Sequence, residues 1–355
     1  MRGRVDSEPK AGDSMPCEKR IPNPLKNAFF SSLLLLSTVL SFTLNAQLVS
    51  SAATSAGDII AYCLCNSASS QIYTVNADGT GSARLVNSSL VLNEPAYSPD
   101  GKYLVMSGYR GATLSIYRYT FSAGTVQLLT SVSNVWDNHP TYSPQGSIIA
   151  FSRGYPPDWA RNEIWLMNSD GTNARSIGVE GYHVHFSPDG MRLAYSSGVP
   201  GSQEIFTCAL DGTRVQQLTK NNFDDGSPSW SPDGRKIVFD SNRDGNTDIY
   251  VMNSDGTQVR RLTNSFPAMS AVPEWSPDGT QIVFSRNVSG SPNGQIFVMD
   301  ADGSNTRQVT QVASPGWAQE PTWKLKSTTS IQNGSETALP QDVRLYQPQC
   351  PAIPE

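Results

Sequence analysis

Residues 228–263 read PSWSPDGRKIVFDSNRDGNTDIYVMNSDGTQVRRLT, and this stretch decides the fold. Pro228-Ser229-Trp230 is a short strand, and Ser231-Pro232-Asp233-Gly234 is a turn. Proline fixes φ there, while Asp-Gly supplies a local hydrogen bond and a permissive backbone. Lys236–Phe239 is β-branched and aromatic, as strands prefer. A polar loop, Asp240–Thr247, leads to a third strand, Asp248–Asn253, closed by the turn Ser254–Thr257. Val259–Thr263 is a fourth strand whose alternating charge suits an exposed edge. No helix fits, because turn residues interrupt every apolar run within about six residues.

The unit recurs. Its leading aromatic falls at Tyr97, Tyr142, Phe186, Trp230, Trp275 and Trp323, in steps of 45, 44, 44, 45 and 48 residues. Its closing Asp-Gly recurs at Asp78, Asp170, Asp211, Asp255 and Asp302, with a degenerate Ser122-Ala123-Gly124 in the gap. A period in the forties with several short strands per unit predicts an all-β, six-bladed β-propeller of four-stranded blades. The first repeat (Asp58–Tyr62, Gln71–Val75, Ala83–Val86) lacks an inner strand, and the last supplies a spare one at Pro321–Lys324. A C-terminal strand completing the first blade would close the ring and remove open edges.

Three segments follow: a leader at 1–56, the propeller at 57–326 and a flexible tail at 327–355. The leader holds the apolar run Ala28–Leu44, preceded by Lys19, Arg20 and Lys26 and followed by small residues at Ala46 and Ser51–Ala53. This fits a cleaved secretory signal, with Met15 a candidate start; an uncleaved signal anchor is the alternative and the only membrane contact expected. The protein is therefore expected in the periplasm or secreted, or anchored with the propeller outside the cytoplasm. Charged residues are only 16% of the chain. Beyond the leader's basic residues, 20 Lys and Arg face 27 Asp and Glu without a basic patch, which argues against a nucleic-acid partner. Cys63-Leu64-Cys65 is too tight for an ordinary bridge between the two thiols. One of them pairing with Cys350, or free thiols including Cys208, both remain open. Asn87, Asn287 and Asn333 head glycosylation sequons that matter only in a eukaryotic secretory pathway.

The motifs Trp230–Phe239, Ser241–Asn246 and Asp248–Gly256 resemble the repeats of the TolB-like β-propeller family, and the resemblance covers nearly all of residues 58–324. It implies an exported propeller. The family's Tol-Pal representatives carry an α/β domain between signal and propeller, whereas about 15 residues separate the apolar run from the first blade here, so the propeller is expected without that domain. The same repeats occur in oligogalacturonate lyases and as the non-catalytic propellers of prolyl-oligopeptidase-type peptidases.

Propeller sites sit at the channel mouth. The residue before the inner-strand proline is Glu320, Glu94, His139, His183, Ser227 and Val272 in ring order, with Val184 replacing the proline after His183. Glu94, His139, His183 and Glu320 form a mixed oxygen/nitrogen set of the kind that holds a divalent metal. The bland alternative is polar loops that bond water. Tyr109, Arg110, Trp136, Tyr155 and Trp159 crowd the same sector, in loops of the second and third blades, and are residue types that anchor interfaces or stack on sugars. Trp136 and Trp159 could equally cap adjacent blades. The Asp residues of the turns read as self-capping rather than calcium-binding. No nucleophile elbow or triad pattern is present, so no catalytic residue is assigned. The expectation is a monomeric, non-enzymatic binding scaffold for an envelope protein, peptide or glycan, without an assigned cofactor. The alternative is a metal-assisted polysaccharide lyase or hydrolase using the Glu/His arc, with His139 or His183 as base and Arg110 as the cation.

Overall fold

Each Ser-Pro-Asp-Gly turn is tied by one buried hydroxyl. Ser231 Oγ donates to Asp233 Oδ1 at 2.6 Å and accepts the Lys236 N–H at 2.9 Å, so a single side chain joins both strands to the turn. Ser98, Ser187 and Ser276 repeat the arrangement. In the Asp-Gly-Thr turns, Asp255 Oδ1 accepts the N–H and hydroxyl of Thr257, which identifies these carboxylates as turn caps. The threonine that ends each outer strand then turns inward: Thr130, Thr219, Thr263 and Thr310 each accept a third-strand N–H at 2.9 Å.

The computed structural model describes residues 58–66, 69–156, 158–287, 293–314 and 316–324. The signal or anchor, the tail, Cys350 and the sequon at Asn333 lie outside the described residues. Within them the strands form six four-stranded antiparallel blades around a ring. Blade one combines β24 (Trp317–Trp323), β1 (Ile59–Cys65), β2 (Ser70–Asn76) and β3 (Ala83–Arg84), so the last strand does complete the first blade. Blade two is β4 (Val91–Tyr97), β5 (Tyr103–Arg110), β6 (Thr113–Thr120) and β7 (Thr125–Leu128). Blade three is β8 (Trp136–Tyr142), β9 (Ile148–Tyr155), β10 (Asp158–Asn168) and β11 (Arg175–Glu180). Blade four is β12 (Tyr182–Phe186), β13 (Arg192–Ser197), β14 (Glu204–Ala209) and β15 (Gln216–Gln217). Blade five is β16 (Asp225–Trp230), β17 (Lys236–Ser241), β18 (Asp248–Asn253) and β19 (Arg260–Arg261). Blade six is β20 (Ser270–Trp275), β21 (Gln281–Asn287), β22 (Gly294–Asp300) and β23 (Arg307–Gln308). A parallel bridge from Leu114 to Trp136 links blades two and three into one sheet. No helix of the described residues is long and apolar enough to cross a membrane.

Inner strands begin earlier than sequence reading places them, at Asp225 rather than Pro228 and at Trp317 rather than Pro321. The early residues pair normally (Asp225 with Ser241), and then the register slips between Gly226 and Ser229. The slip recurs in all six blades, at the residue before proline in five and before Val184 in the fourth. Glu94, His139, His183, Ser227, Val272 and Glu320 all adopt a left-handed φ between 48° and 54°. A β-bulge of this kind kinks the strand and re-aims one side chain.

Six apolar clusters fill the six seams, and each contains one repeat aromatic. Trp230 packs with Ala194 and Ile205 of blade four and Ile237 and Phe239 of its own blade. Trp275 joins blades five and six, and Trp323 joins six and one. Tyr97, Tyr142 and Phe186 occupy the other three seams. Cys63, Cys65 and Cys208 are buried thiols within this core.

The Asp-Gly turn of each blade also rests on its neighbour. A Cβ at Gly79, Gly171, Gly256 or Gly303 would lie within 3.0 Å of a carbonyl oxygen in the adjacent outer strand, and at Gly212 it would collide with the Ile177 carbonyl. Arginines add a second grip, Arg118 donating to Ser169 O at 2.8 Å and Arg260 to Asp302 O at 3.0 Å. Gly124, in the degenerate repeat, meets only the Tyr119 hydroxyl at 4.0 Å. That seam is filled by rings instead, with Phe121 stacked on Tyr97 at 5.9 Å and Lys324 over Phe121 at 5.0 Å.

Closure has its own latch. Glu274 of β20 accepts the Trp323 N–H at 3.0 Å and the Thr322 hydroxyl at 3.1 Å, tying blade six to the closing strand. Its remaining surface faces the enclosed channel, and desolvation raises its carboxyl from 4.5 to about 7.

Two outcomes follow from these seams. Gly212→Ala and Gly124→Ala both place a side chain at positive φ, a cost of about 1 kcal/mol. Gly212→Ala should lose a further 2 kcal/mol or so through the clash with Ile177, seen in denaturant titration as a larger drop in midpoint. Equal losses would show that the seam yields. For Glu274, a folded-state pKa above the unfolded value means the folded protein holds the proton more tightly. Its contribution to stability is complete below pH 4.5 and is lost as pH rises through about 7. Between about pH 4 and about pH 8 the wild type should lose on the order of 3 kcal/mol relative to Glu274→Gln, which keeps an acceptor oxygen for Trp323. Parallel pH profiles of unfolding free energy would refute this role.

Candidate functional site

The six bulges aim one side chain per blade into the central channel. Glu94, His139, His183, Ser227, Val272 and Glu320 line one cavity of about 100 Å³, floored and walled by the prolines and inner-strand residues beside them. The strain does not itself signal chemistry, because Val272 shares it; the choice of side chain at an architectural bulge does.

His139 and His183 meet edge to face with ring centroids 3.8 Å apart. Ligand atoms of His139, His183 and Glu320 all lie within 4.8 Å of one another. Glu94 stands beside this trio rather than in it. Its Oε2 accepts the His139 N–H at 2.8 Å and the Ser107 hydroxyl at 2.7 Å, and its Oε1 lies 3.4 Å from His139 Nε2. Ser227 Oγ is 3.4 Å from His183 Nδ1.

The accessible surface of these groups faces the channel and not bulk solvent, so their charged forms are poorly hydrated. Desolvation lowers His139 to about 3 and His183 well below its usual value, leaving both imidazoles neutral. Glu320 is pushed up to about 8 by burial and by the neighbouring carboxyls of Glu94 and Asp240. Glu94 is raised for the same first reason. Neutral imidazoles beside a carboxyl that lacks a cation are a donor set that fits a divalent transition metal.

Sequence reading missed Asp240 and His185. Asp240 reaches in from β17, accepts the Val272 N–H at 2.9 Å and has its carboxyl raised by desolvation. The signal was present: Asp240 stands where the repeat has Ser107, Ser152, Ser196 and Ser285. His185 also lines the cavity and is lowered to about 4 by burial, with Nδ1 3.0 Å from Phe186 O.

The aromatic sector lies apart, at the loop end of blades two and three. Tyr109 and Trp136 meet edge to face at 6.0 Å, and the Trp136 indole donates to Ala112 O at 3.1 Å. Arg110 is exposed at the end of β5 and does not line the cavity, so it is not placed as a cation for channel chemistry. Tyr155 and Trp159, expected in a loop of the third blade, instead fall in β9 and β10, which pair past a slip between Asp158 and Asn162. Tyr155 donates to Glu163 at 3.1 Å, which anchors the hairpin. Trp159 falls in β10, and its side chain lies outside the described residues. On the same face, in connections into or between strands, Val132, Val199, Phe223 and Phe266 are exposed, Phe266 by 76%. Sequence reading passed over these because single apolar residues in loops carry no periodic signal.

The TolB beta propeller domain model matches residues 181–265, the strands of blades four and five. The Tol-Pal system protein TolB of Anaeromyxobacter dehalogenans is 31% identical over 109 residues, 30% of this chain and 24% of that protein. An oligogalacturonate lyase of Dickeya dadantii is 34% identical over 95 residues, 24% of each chain. The chain thus spans about a quarter of the length of these curated relatives. Among solved structures, TolB from Acinetobacter baumannii superposes with a TM-score of 0.65 at 24% identity, covering 76% of this chain and 67% of that one. A TolB-like protein of Agrobacterium tumefaciens gives 0.60 at 21% identity over 75% and 99%. These likenesses show a β-propeller fold like that of TolB, with the TolB-type repeat matched in blades four and five.

Proposed function

We propose that the protein is a non-enzymatic binding scaffold, acting outside the cytoplasm and recognising an envelope protein, peptide or glycan on its loop face. The observation that carries this reading is the set of aromatic side chains on that face: the half-buried Tyr109–Trp136 pair and the exposed Phe223 and Phe266. Aromatic anchors on a rigid scaffold bring large contact area at low ordering cost. The channel beneath, at about 100 Å³, is too narrow to take such a partner. The relatives' place in the Tol-Pal system is consistent with a protein partner. Immobilised full-length protein should retain specific envelope proteins or glycans that a Trp136→Ala/Phe266→Ala variant retains at least about tenfold less well. Equal recovery of the same partners by both would remove this face.

A second reading rests on the His139–His183–Glu320 trio. These residues would hold a divalent ion, which would supply a positive charge to a substrate carboxylate or hydroxyl. Glu94 would orient His139 through its backbone and ring, and the neutral imidazoles would carry no proton to be displaced. Manganese or zinc should raise the melting temperature of the wild type and leave a His139→Gln/His183→Gln variant unmoved. No bound ion after purification, together with no shift on adding either metal, sinks this reading.

A further inference from the structure

Between blades one and six a cleft of about 690 Å³ runs from the β1–β2 hairpin to the β2–β3 turn, within the usual range for small-ligand sites. The connection from β23 to β24 is held against its own blade by Gln295, whose side chain donates to Val312 O at 2.8 Å and accepts the Val312 N–H at 2.9 Å and the Thr310 hydroxyl at 2.8 Å. A tight turn, Gly316 N–H to Ala313 O at 2.8 Å, then carries the chain into the closing strand. Val312 packs on the cluster that holds Tyr62, Leu64 and Tyr73 of blade one, and the cleft opens beside that contact.

That wall presents a tyrosine pair. Tyr62 and Tyr73 are register partners on β1 and β2, with ring centroids 6.0 Å apart. Tyr62 is buried and its hydroxyl lies 3.1 Å from Ser82 Oγ, while Tyr73 is half-buried and borders the cleft. The opposite wall carries the amides of Gln308 and Gln311, with Gln308 fixed by a 2.6 Å bond to Thr310 O. None of the described lining residues is Lys, Arg or His, and the one charge is Asp78. Asp78 caps its own turn through Thr80, which holds its carboxyl below the usual range and keeps it anionic.

We propose that this cleft binds a neutral oligosaccharide. A tyrosine face offers a platform for the C–H face of a pyranose, and primary amides and hydroxyls match sugar hydroxyls as both donors and acceptors. A cleft with one carboxylate and no cation disfavours uronates, sulfated sugars and phosphates. The cleft opens toward the loop end of blades one and six but shares no residue with the channel or with Tyr109, Trp136, Phe223 and Phe266, so its variants are tested apart from both functional readings above.

The full-length chain is titrated calorimetrically with cellotetraose, maltotetraose and chitotetraose, and in parallel with tetragalacturonate. At least one neutral sugar should bind, with the acidic one at least about tenfold weaker. Tyr73→Ala and Gln311→Ala should each weaken the neutral sugar by about tenfold or more, while Met191→Ala, at an exposed turn of blade four that does not line the cleft, leaves it unchanged. Tyr73 touches the core, so if its variant fails to fold, the exposed Gln311→Ala decides. The proposal is overturned if no neutral sugar binds by about 10 mM, if tetragalacturonate binds equally well, or if Gln311→Ala binds as the wild type does.

Discussion

The ring depends on a wedge. Six twisted sheets close into a circle only if every seam has the same thickness, and the repeat aromatic is the spacer that sets it. The Asp-Gly turn sets the other end of the same seam, where glycine lets one backbone approach the next blade's carbonyl. Tyr97, Tyr142 and Phe186 do at three seams what tryptophan does at the others, and the flanking residues adjust. Where the second blade lacks the glycine contact, the Tyr97–Phe121 stack and Lys324 restore the spacing from the closing strand itself. The closing strand therefore serves two seams: Trp323 fills the one behind it, and Lys324 reaches the one ahead.

Most of this was legible because the period is written in residues with strong local meaning. Pro, Asp and Gly locate turns, aromatic residues locate seams, and a missing strand at one end matched a spare one at the other. Sequence could not show that the motif serine is the buried tie of each turn, since serine is compatible with any polar position. Nor could it show where strands begin, because Asp225 and Gly226 look like loop residues and pair only before the bulge.

The candidate site was legible in part for the same reason. The pre-proline position could be followed from blade to blade, and the structure brings His139, His183 and Glu320 together there. What a single position per repeat could not convey is depth. Those residues sit three places inside the strand from Trp136, so they line a channel instead of crowning a mouth. Asp240 was hidden because it comes from the second strand, whose role at the channel is invisible until the bulge has turned the first strand aside.

Depth in turn governs what each part of the ring can recognise. In the channel, desolvation works against every charge: histidines stay neutral and carboxyls hold protons into the neutral range. Backbone N–H groups turned inward by the bulges offset part of that cost, as at His139 and Val272. A small cation is the species that would relieve the desolvated oxygens, and a volume of about 100 Å³ would admit little larger. The loop face has the opposite character, with apolar rings in bulk solvent whose burial is favourable only against a large surface. The seam cleft lies between these extremes, roomy, uncharged on nearly all sides and lined by groups that already share hydrogen bonds. One repeat thus yields three environments. The difference comes from how far each side chain lies from water, and the backbone geometry that fixes that distance is the same in every blade.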